Sequence, residues 1–291
     1  PAQIAADIEK RVTTLNPFRQ ICRVSRVGSS DYAHLVSRNE AGSGWVGESD
    51  NRSETDTSDL LQRKPTFGTL YAYPKATEES FADVFFDVRS WLVEEVSDAF
   101  AAQEATAFVS GDGTNKPTGF LASSPVTTSD DASPERAAGV LQYLPMDSTS
   151  PQALNADDLI SLANSLKDGY LLDSGAVAWV MRRSTASVVR KLKSAYGDYY
   201  WQPSLQAGQP DRLLGYPVYL TDASQAYTAD AHPIAFGNWR RGYLIADRSD
   251  IRITVDDNIT TPGYIKFYLR KRVGGIVLNH QAIKVLKLAD S

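Results

Sequence analysis

Cysteine is almost missing from this chain: Cys22 is the only one in 291 residues. One thiol excludes an internal disulfide framework and a cysteine-based zinc site. Its simplest role is that of a small buried hydrophobe, and a reducing compartment suits it. Histidine is scarce as well. His34, His232 and His280 stand in unrelated contexts, none beside an acid or a second histidine at metal-ligand spacing, so each reads as structural or exposed. No run approaches the roughly 20 apolar residues that a membrane helix needs. Pro1-Ala2-Gln3-Ile4 has neither the basic start nor the apolar stretch of a secretory leader, and Pro in place of Met reads as the mark of a segment removed ahead of it. Excess positive charge is absent too: 30 Lys and Arg stand against 35 Asp and Glu, a net charge of −5. Sequence-specific gripping of nucleic acid is therefore not expected. The short basic runs Arg182-Arg183, Arg240-Arg241 and Arg270-Lys271-Arg272 read as solvated faces.

Catalytic constellations are equally lacking. Gly42-Ser43-Gly44 lies in a loop without the strand and helix of a nucleophile elbow. The glycine-rich stretch Gly111–Gly119 contains Lys116, but it lacks the Gly-Lys-Ser/Thr ending and follows a helical pattern instead of a strand, so it fails as a phosphate loop. The carboxylate pairs Glu94-Glu95, Asp130-Asp131, Asp157-Asp158 and Asp256-Asp257 are adjacent in sequence and point to different sides. No cofactor and no metal are expected.

What is present is ordinary globular material: 42% hydrophobic and 10% aromatic residues, enough for one large or two modest domains. The chain opens with a stripe, Ile4, Ile8, Val12 and Leu15, which is too short to stand alone and needs a partner surface. Asn16-Pro17 ends it, and Phe18 to Val27 reads as extended. From Gly28 to Lys64 the ends alternate like strands (Tyr32, His34, Val36; then Phe67, Leu70, Tyr71 and Tyr73 after the return). The middle is polar with little apolar beyond Ala41, Trp45 and Val46. Such an arm cannot bury a core of its own and is expected to lie on another molecule, anchored by Trp45.

The clearest helix follows. Ser80 with Asp83 has capping-box spacing, and Phe81, Phe85, Val88, Leu92, Val96 and Ala99 mark one buried face running on to Val109. Gly111 and Gly113 are expected to stop the helix with positive φ angles and turn the chain back. Residues 122–150 read as loop with an occasional strand. Beyond them, Asn155 and Ser184 cap helices through Leu159–Leu166 and Val188–Leu192. Strands are expected at 176–181, 216–220, 234–236, 243–246, 251–255, 265–269, 274–278 and 283–288.

Three blocks then carry a resemblance. They are Phe81–Val109 running into Ser110-Gly111-Asp112-Gly113-Thr114 and Pro117-Thr118-Gly119-Phe120-Leu121; Ala178-Trp179-Val180-Met181 with Leu192-Lys193 and Leu213-Leu214-Gly215-Tyr216-Pro217-Val218; and Phe236-Gly237-Asn238 through Gly242-Tyr243 to Ala246-Asp247-Arg248, with Tyr268-Leu269-Arg270 and Val273-Gly274-Gly275. In this order and spacing the chain resembles major capsid proteins of tailed double-stranded-DNA bacteriophages with the Hong Kong 97 fold, a family that includes gene transfer agents. The resemblance implies an α+β fold with an N-terminal arm at 1–27 and an extended loop at 28–64. It further implies a peripheral domain with a long spine helix at 65–150 and 255–291, and an axial domain at 151–254. It implies a non-enzymatic homo-oligomer of hexamers and pentamers, made in the host cytoplasm and ending in the virion. Its partners would be a portal and a scaffolding region or maturation protease, and it would enclose DNA without reading its sequence and without touching a membrane. Trp45, Arg38, Arg52 and Arg63 are the subunit-contact candidates. An encapsulin-type compartment shares the fold, but the long polar arm and the start at Pro1 favour the phage reading.

Some members of that family weld their shells by a self-catalysed isopeptide bond from a lysine on the extended loop. Between Gly28 and Arg63 this chain has no lysine, only Arg38, Arg52 and Arg63. A guanidinium stays protonated and is a poor nucleophile. Lys64 stands at the base of the arm, beside Pro65. Particles boiled in detergent should therefore run as a single band near 31.9 kDa on a denaturing gel; a ladder of linked rings would show that a covalent weld exists.

Overall fold

The computed structural model describes residues 2–29, 31–37, 43, 45–46, 51, 54–55, 60–77, 79, 88–147, 154–173, 175–193, 196, 199, 201, 211–256 and 262–289. Two sheets and one long helix organise them. A five-stranded sheet runs β1 (Arg23–Arg26), β11 (Tyr243–Asp256), β12 (Tyr264–Val277) and β4 (Thr66–Ala72), with β5 (Lys75–Thr77) also pairing β12. A six-stranded sheet runs β6 (Gln142–Pro145), β13 (Ile283–Lys287), β10 (Ile234–Asn238), β7 (Val177–Met181), β9 (Tyr216–Leu220) and β8 (Arg212–Leu213).

The long helix α3, Val88–Ser110, spans 23 residues and roughly 35 Å at about 1.5 Å per residue. Ser80, Phe81, Asp83 and Phe85 lie outside the described residues. The buried face carries Leu92, Val96, Phe100, Ala101, Ala105 and Phe108, whereas Ala99 is exposed. One face of the five-stranded sheet, through Ile251, Phe267 and Leu269, packs against this helix. The N-terminal helix α1 (Ala2–Leu15) adds Ile8 and Val12 to the same core. The opening stripe thus finds its partner within its own chain, and only its last member, Leu15, stays exposed. Phe18 is helical as well: Asn16 Oδ1 accepts from Phe18 N at 3.1 Å and caps the short helix α2, Pro17–Ile21. Proline at the first turn is pre-set for helix, which overrides the extended reading of that segment.

The run at 176–181 is apolar without alternation because β7 is buried on both faces. Ala178 and Val180 face the core shared with α3, while Val177, Trp179 and Met181 face helices α4 (Ala156–Asn164) and α6 (Arg183–Arg190). Asp158 supports the start of α4 by accepting from Asn155 N at 2.9 Å. Helix α6 begins at Arg183, one residue ahead of the expected Ser184 cap.

Sheet membership cuts across the expected divisions of the chain. Residues 243–254, expected in the axial part, belong to β11 of the five-stranded sheet. Strand β13 at 283–287, expected in the peripheral part, lies inside the six-stranded sheet beside β6. The four short strands expected in 243–278 are in fact two strands of 14 residues, with register shifts near Ser249. A bulge breaks the apolar alternation without ending the strand.

At the centre lies a buried ionic cluster. Arg19 Nε and Nη2 donate to Glu104 Oε2 and Oε1 at 2.6 and 2.9 Å, and Nη1 and Nη2 donate to Asp247 Oδ2 and Oδ1 at 2.8 and 3.0 Å. Lys271 Nζ stands 3.4 Å from Glu104 and 3.5 Å from Asp247. Lys271, expected on a solvated face, is 1% exposed. Burial opposes charge on Arg19 and on Asp247, but Glu104 and Asp247 outweigh it on the arginine, and Arg19 with Lys271 outweighs it on the aspartate: Arg19 is held above its ordinary pKa and Asp247 below. Removing one member strands buried charge, so Glu104→Gln should cost about 3–5 kcal/mol of unfolding free energy. Glu94→Gln, in the exposed pair with Arg11, should cost no more than about 1 kcal/mol. Because the folded pKa of Asp247 is depressed, its contribution is complete above the ordinary carboxylate range and is lost as pH falls through the depressed value. Denaturant titrations of the unassembled subunit from neutral to acid pH check both the ranking and the sign.

Candidate assembly surface

The arm leaves the body as an antiparallel pair, β2 (His34–Ser37) and β3 (Leu60–Arg63), with His34 opposite Arg63 and Val36 opposite Leu61. Strand alternation gives it two different faces. Inward, Val36 and the preceding Tyr32 pack on Leu244, Ile276 and Leu278 of the five-stranded sheet. Outward, Leu35 and Leu60 stand 56% and 67% exposed. Arg63 Nε donates to Val277 O at 3.0 Å and Nη1 to Ala138 O at 3.4 Å. Burial lowers its pKa. Its hydrogen bonds are thus made within its own chain, where they fasten the base of the arm. Trp45 is fully exposed, with Val46 beside it half-exposed. Arg38 and Arg52 lie outside the described residues. Among the four contact candidates, Trp45 is the one whose described side chain is left uncovered.

The turn after α3 is built as a structural stop. Gly113 has φ +80°, as expected. Gly111 differs: it shows no positive φ, and its need for glycine is one of space. A Cβ there would lie 2.1 Å from Pro117 O and 2.5 Å from Ala107 O. The returning chain gives the helix end its partners. Gly119 N donates to Gly111 O, Phe120 N to Phe108 O and Leu121 N to Val109 O, all at 2.8–2.9 Å. Tyr243 Oη donates to Thr118 O at 2.7 Å and ties the turn to the sheet.

An open cleft of about 1650 Å³ lies between the arm base and the loop at 130–135. Two ion pairs line it, Lys167 with Asp131 at 2.9 Å and Arg240 with Asp173 at 3.9 Å. Deeper in, Asp130 holds both Arg136 and Lys284, the latter at 2.6 Å. Burial, with Arg136 close by, drives His280 down to about 4. Burial likewise lowers His34 and His232. All three imidazoles are thereby held neutral near pH 7. Among the described residues no group of three His, Cys, Asp or Glu side chains could hold a metal ion.

Sequence reading missed the far side of the five-stranded sheet. On β12, Phe267, Leu269, Lys271 and Val273 face inward, so Tyr264, Lys266, Tyr268, Arg270 and Arg272 share the opposite face. Tyr71 and Tyr73 join them, 66% and 52% exposed, with ring centroids 6.4 and 5.9 Å from Tyr268. The signal was available as a period of two, Tyr, Lys, Tyr, Arg, Arg, between the apolar positions.

A family model described as the phage capsid family matches residues 1–288. Among solved structures, the capsid of a native GTA particle is 37% identical with TM-score 0.79, covering 94% of this chain and 89% of that one. The capsid of an empty GTA particle is 35% identical with TM-score 0.82, covering 94% and 90%. A structure from Mycobacterium phage Cain shares the fold at 17% identity and TM-score 0.60, covering 97% and 90%. No curated protein matches.

Trp45→Ala should leave the unfolding free energy of the isolated chain within about 0.5 kcal/mol, since the side chain is fully exposed. Association between copies should weaken. Sedimentation velocity on the two proteins side by side measures this, and unchanged association would mark Trp45 as a solvent-exposed tip residue.

Proposed function

This chain belongs to the phage capsid family as a structural major capsid protein, and from that premise we propose that its copies form the hexamers and pentamers of a closed shell around packaged double-stranded DNA. The family and the fold are those of structural proteins, not enzymes. An encapsulin-type compartment is not favoured, because the relatives at 37% and 35% identity are capsids of GTA particles. The particle is accordingly a virion or a GTA particle.

One observation carries the assembly reading: the arm projects apolar side chains, Leu35, Leu60 and Trp45, that its own chain leaves uncovered. Exposed apolar surface of this kind marks an interaction site. The five-stranded sheet with α3 corresponds to the peripheral domain, and the six-stranded sheet with α4 and α6 to the axial domain. A net charge of −5 suits a wall that contains DNA without trapping its phosphates at fixed sites. The lysine-free arm fits a shell held by non-covalent contacts. A portal, and a scaffolding region or maturation protease, would complete the assembly in the host cytoplasm.

Electron microscopy of the purified full chain is the direct test. Closed polyhedral shells are expected, with the arm protected from protease. A stable folded monomer by sedimentation, at concentrations where relatives assemble, would sink the reading.

A further inference from the structure

The assembly reading makes no use of the ionic cluster beneath the loop at 130–136. Lys284 on β13 has a wholly buried side chain, flanked along the strand by the buried Ile283 and Val285. Its Nζ donates to Asp130 Oδ2 and to Gln142 Oε1, both at 2.6 Å. The register places Gln142 there, because β6 runs parallel to β13 with Gln142 paired to Lys284. Arg136, with a side chain 1% exposed, pairs with the same carboxylate and directs Nη1 to the same amide oxygen at 3.4 Å.

One carboxylate thus serves two buried cations. Buried charge without a full partner is unfavourable, and the amine is the group that can shed it, since a guanidinium stays protonated. Burial, with Arg136 close by, lowers Lys284 to about 8. A neutral, desolvated amine is a nucleophile. Beside it stands an amide whose oxygen already accepts from two cations, so the carbonyl is polarised toward attack. Gln142 Nε2 donates elsewhere, to Thr127 O at 3.4 Å on the exposed rim. The amide nitrogen therefore has a way out.

We propose that Lys284 and Gln142 join in an isopeptide bond within each copy of the chain, with Asp130 as the proton carrier. The Nζ lone pair adds to Gln142 Cδ, and the charge that gathers on Oε1 is held by Arg136. Asp130 takes the proton that Nζ gives up and hands it to Nε2; the Cδ–Nε2 bond breaks and ammonia departs. One C–N bond forms and one breaks, nothing is oxidised or reduced, and no co-reactant enters. The product amide is neutral, which leaves Asp130 to Arg136 and ends the excess of positive charge among the three. It ties β6 to β13 across 142 positions of sequence. The bond lies inside one subunit, adds no link between copies and leaves a single band on a denaturing gel.

Intact-mass measurement of the purified full chain under denaturing conditions reads the bond directly. The chain should weigh about 17 Da less than its sequence requires, the mass of the ammonia released. Trypsin does not cut after an acylated lysine, so digestion should yield one branched peptide carrying both Gln142 and an uncleaved Lys284. Lys284→Arg should restore the full mass, because arginine cannot act as the nucleophile. Asp130→Asn keeps the size of the side chain and removes the proton carrier, and should slow the appearance of the lighter form in newly made chain about 100-fold. An unsubstituted chain of full sequence mass would overturn the proposal and leave the cluster a hydrogen-bonded network, an outcome that needs no variant to fold. A deficit of about 18 Da with Lys284 joined to Asp130, water being lost in place of ammonia, would overturn it too, as would a lighter mass that maps to any other pair.

Discussion

Four buried charges hold the subunit together. Arg19 on α2, Glu104 on α3, Asp247 on β11 and Lys271 on β12 come from four separate elements and meet at one point. Each alone would be prohibitively costly to bury, and together they sum to zero. Arginine is suited to the centre because its planar fork makes paired hydrogen bonds to two carboxylates at once. Apolar packing could be satisfied by several sliding registers of helix on sheet. A fork holding two carboxylates is satisfied by very few, so the cluster fixes where α3 lies against the long strands.

The rest of the architecture follows from that placement. With α3 and α1 covering one face of the five-stranded sheet, the continuation of the same helix reaches the core between the two sheets, where Phe108 packs with Phe18 and Tyr243. The tight return at Gly111–Leu121 then closes the helix end against the sheet through Tyr243. Two layers that could have been independent domains share a core, and the chain passes between them more than once. This is why the expected boundaries at 150 and 254 do not coincide with sheet membership.

Holding one face rigid leaves the opposite one for neighbours. The arm base, fastened by Arg63 to Val277, begins to cover that face and then departs. A shell subunit needs this division: a core that ignores its neighbours, and surfaces that are costly while exposed. Exposed leucines and tryptophan on the arm are unfavourable in the lone chain.

Sequence alone determined the long helix from Val88 onward and its stop, and most of the strands. These are local properties, written in periodicity and in glycine and proline. Tertiary structure decided what each face meets. The stripe of α1 announced that it needed a partner but not that α3 and the sheet supply it. Lys271, between two arginines, reads as solvated until Glu104 and Asp247 are brought to it from distant parts of the chain. Arg63, a contact candidate from its place in the arm, bonds to a carbonyl 214 positions away, which its own stretch of sequence does not announce. Arg252 and Arg270 come to stand opposite each other only once β11 and β12 are in register. Periodicity shows that a residue points to one side; only the fold says what is waiting there.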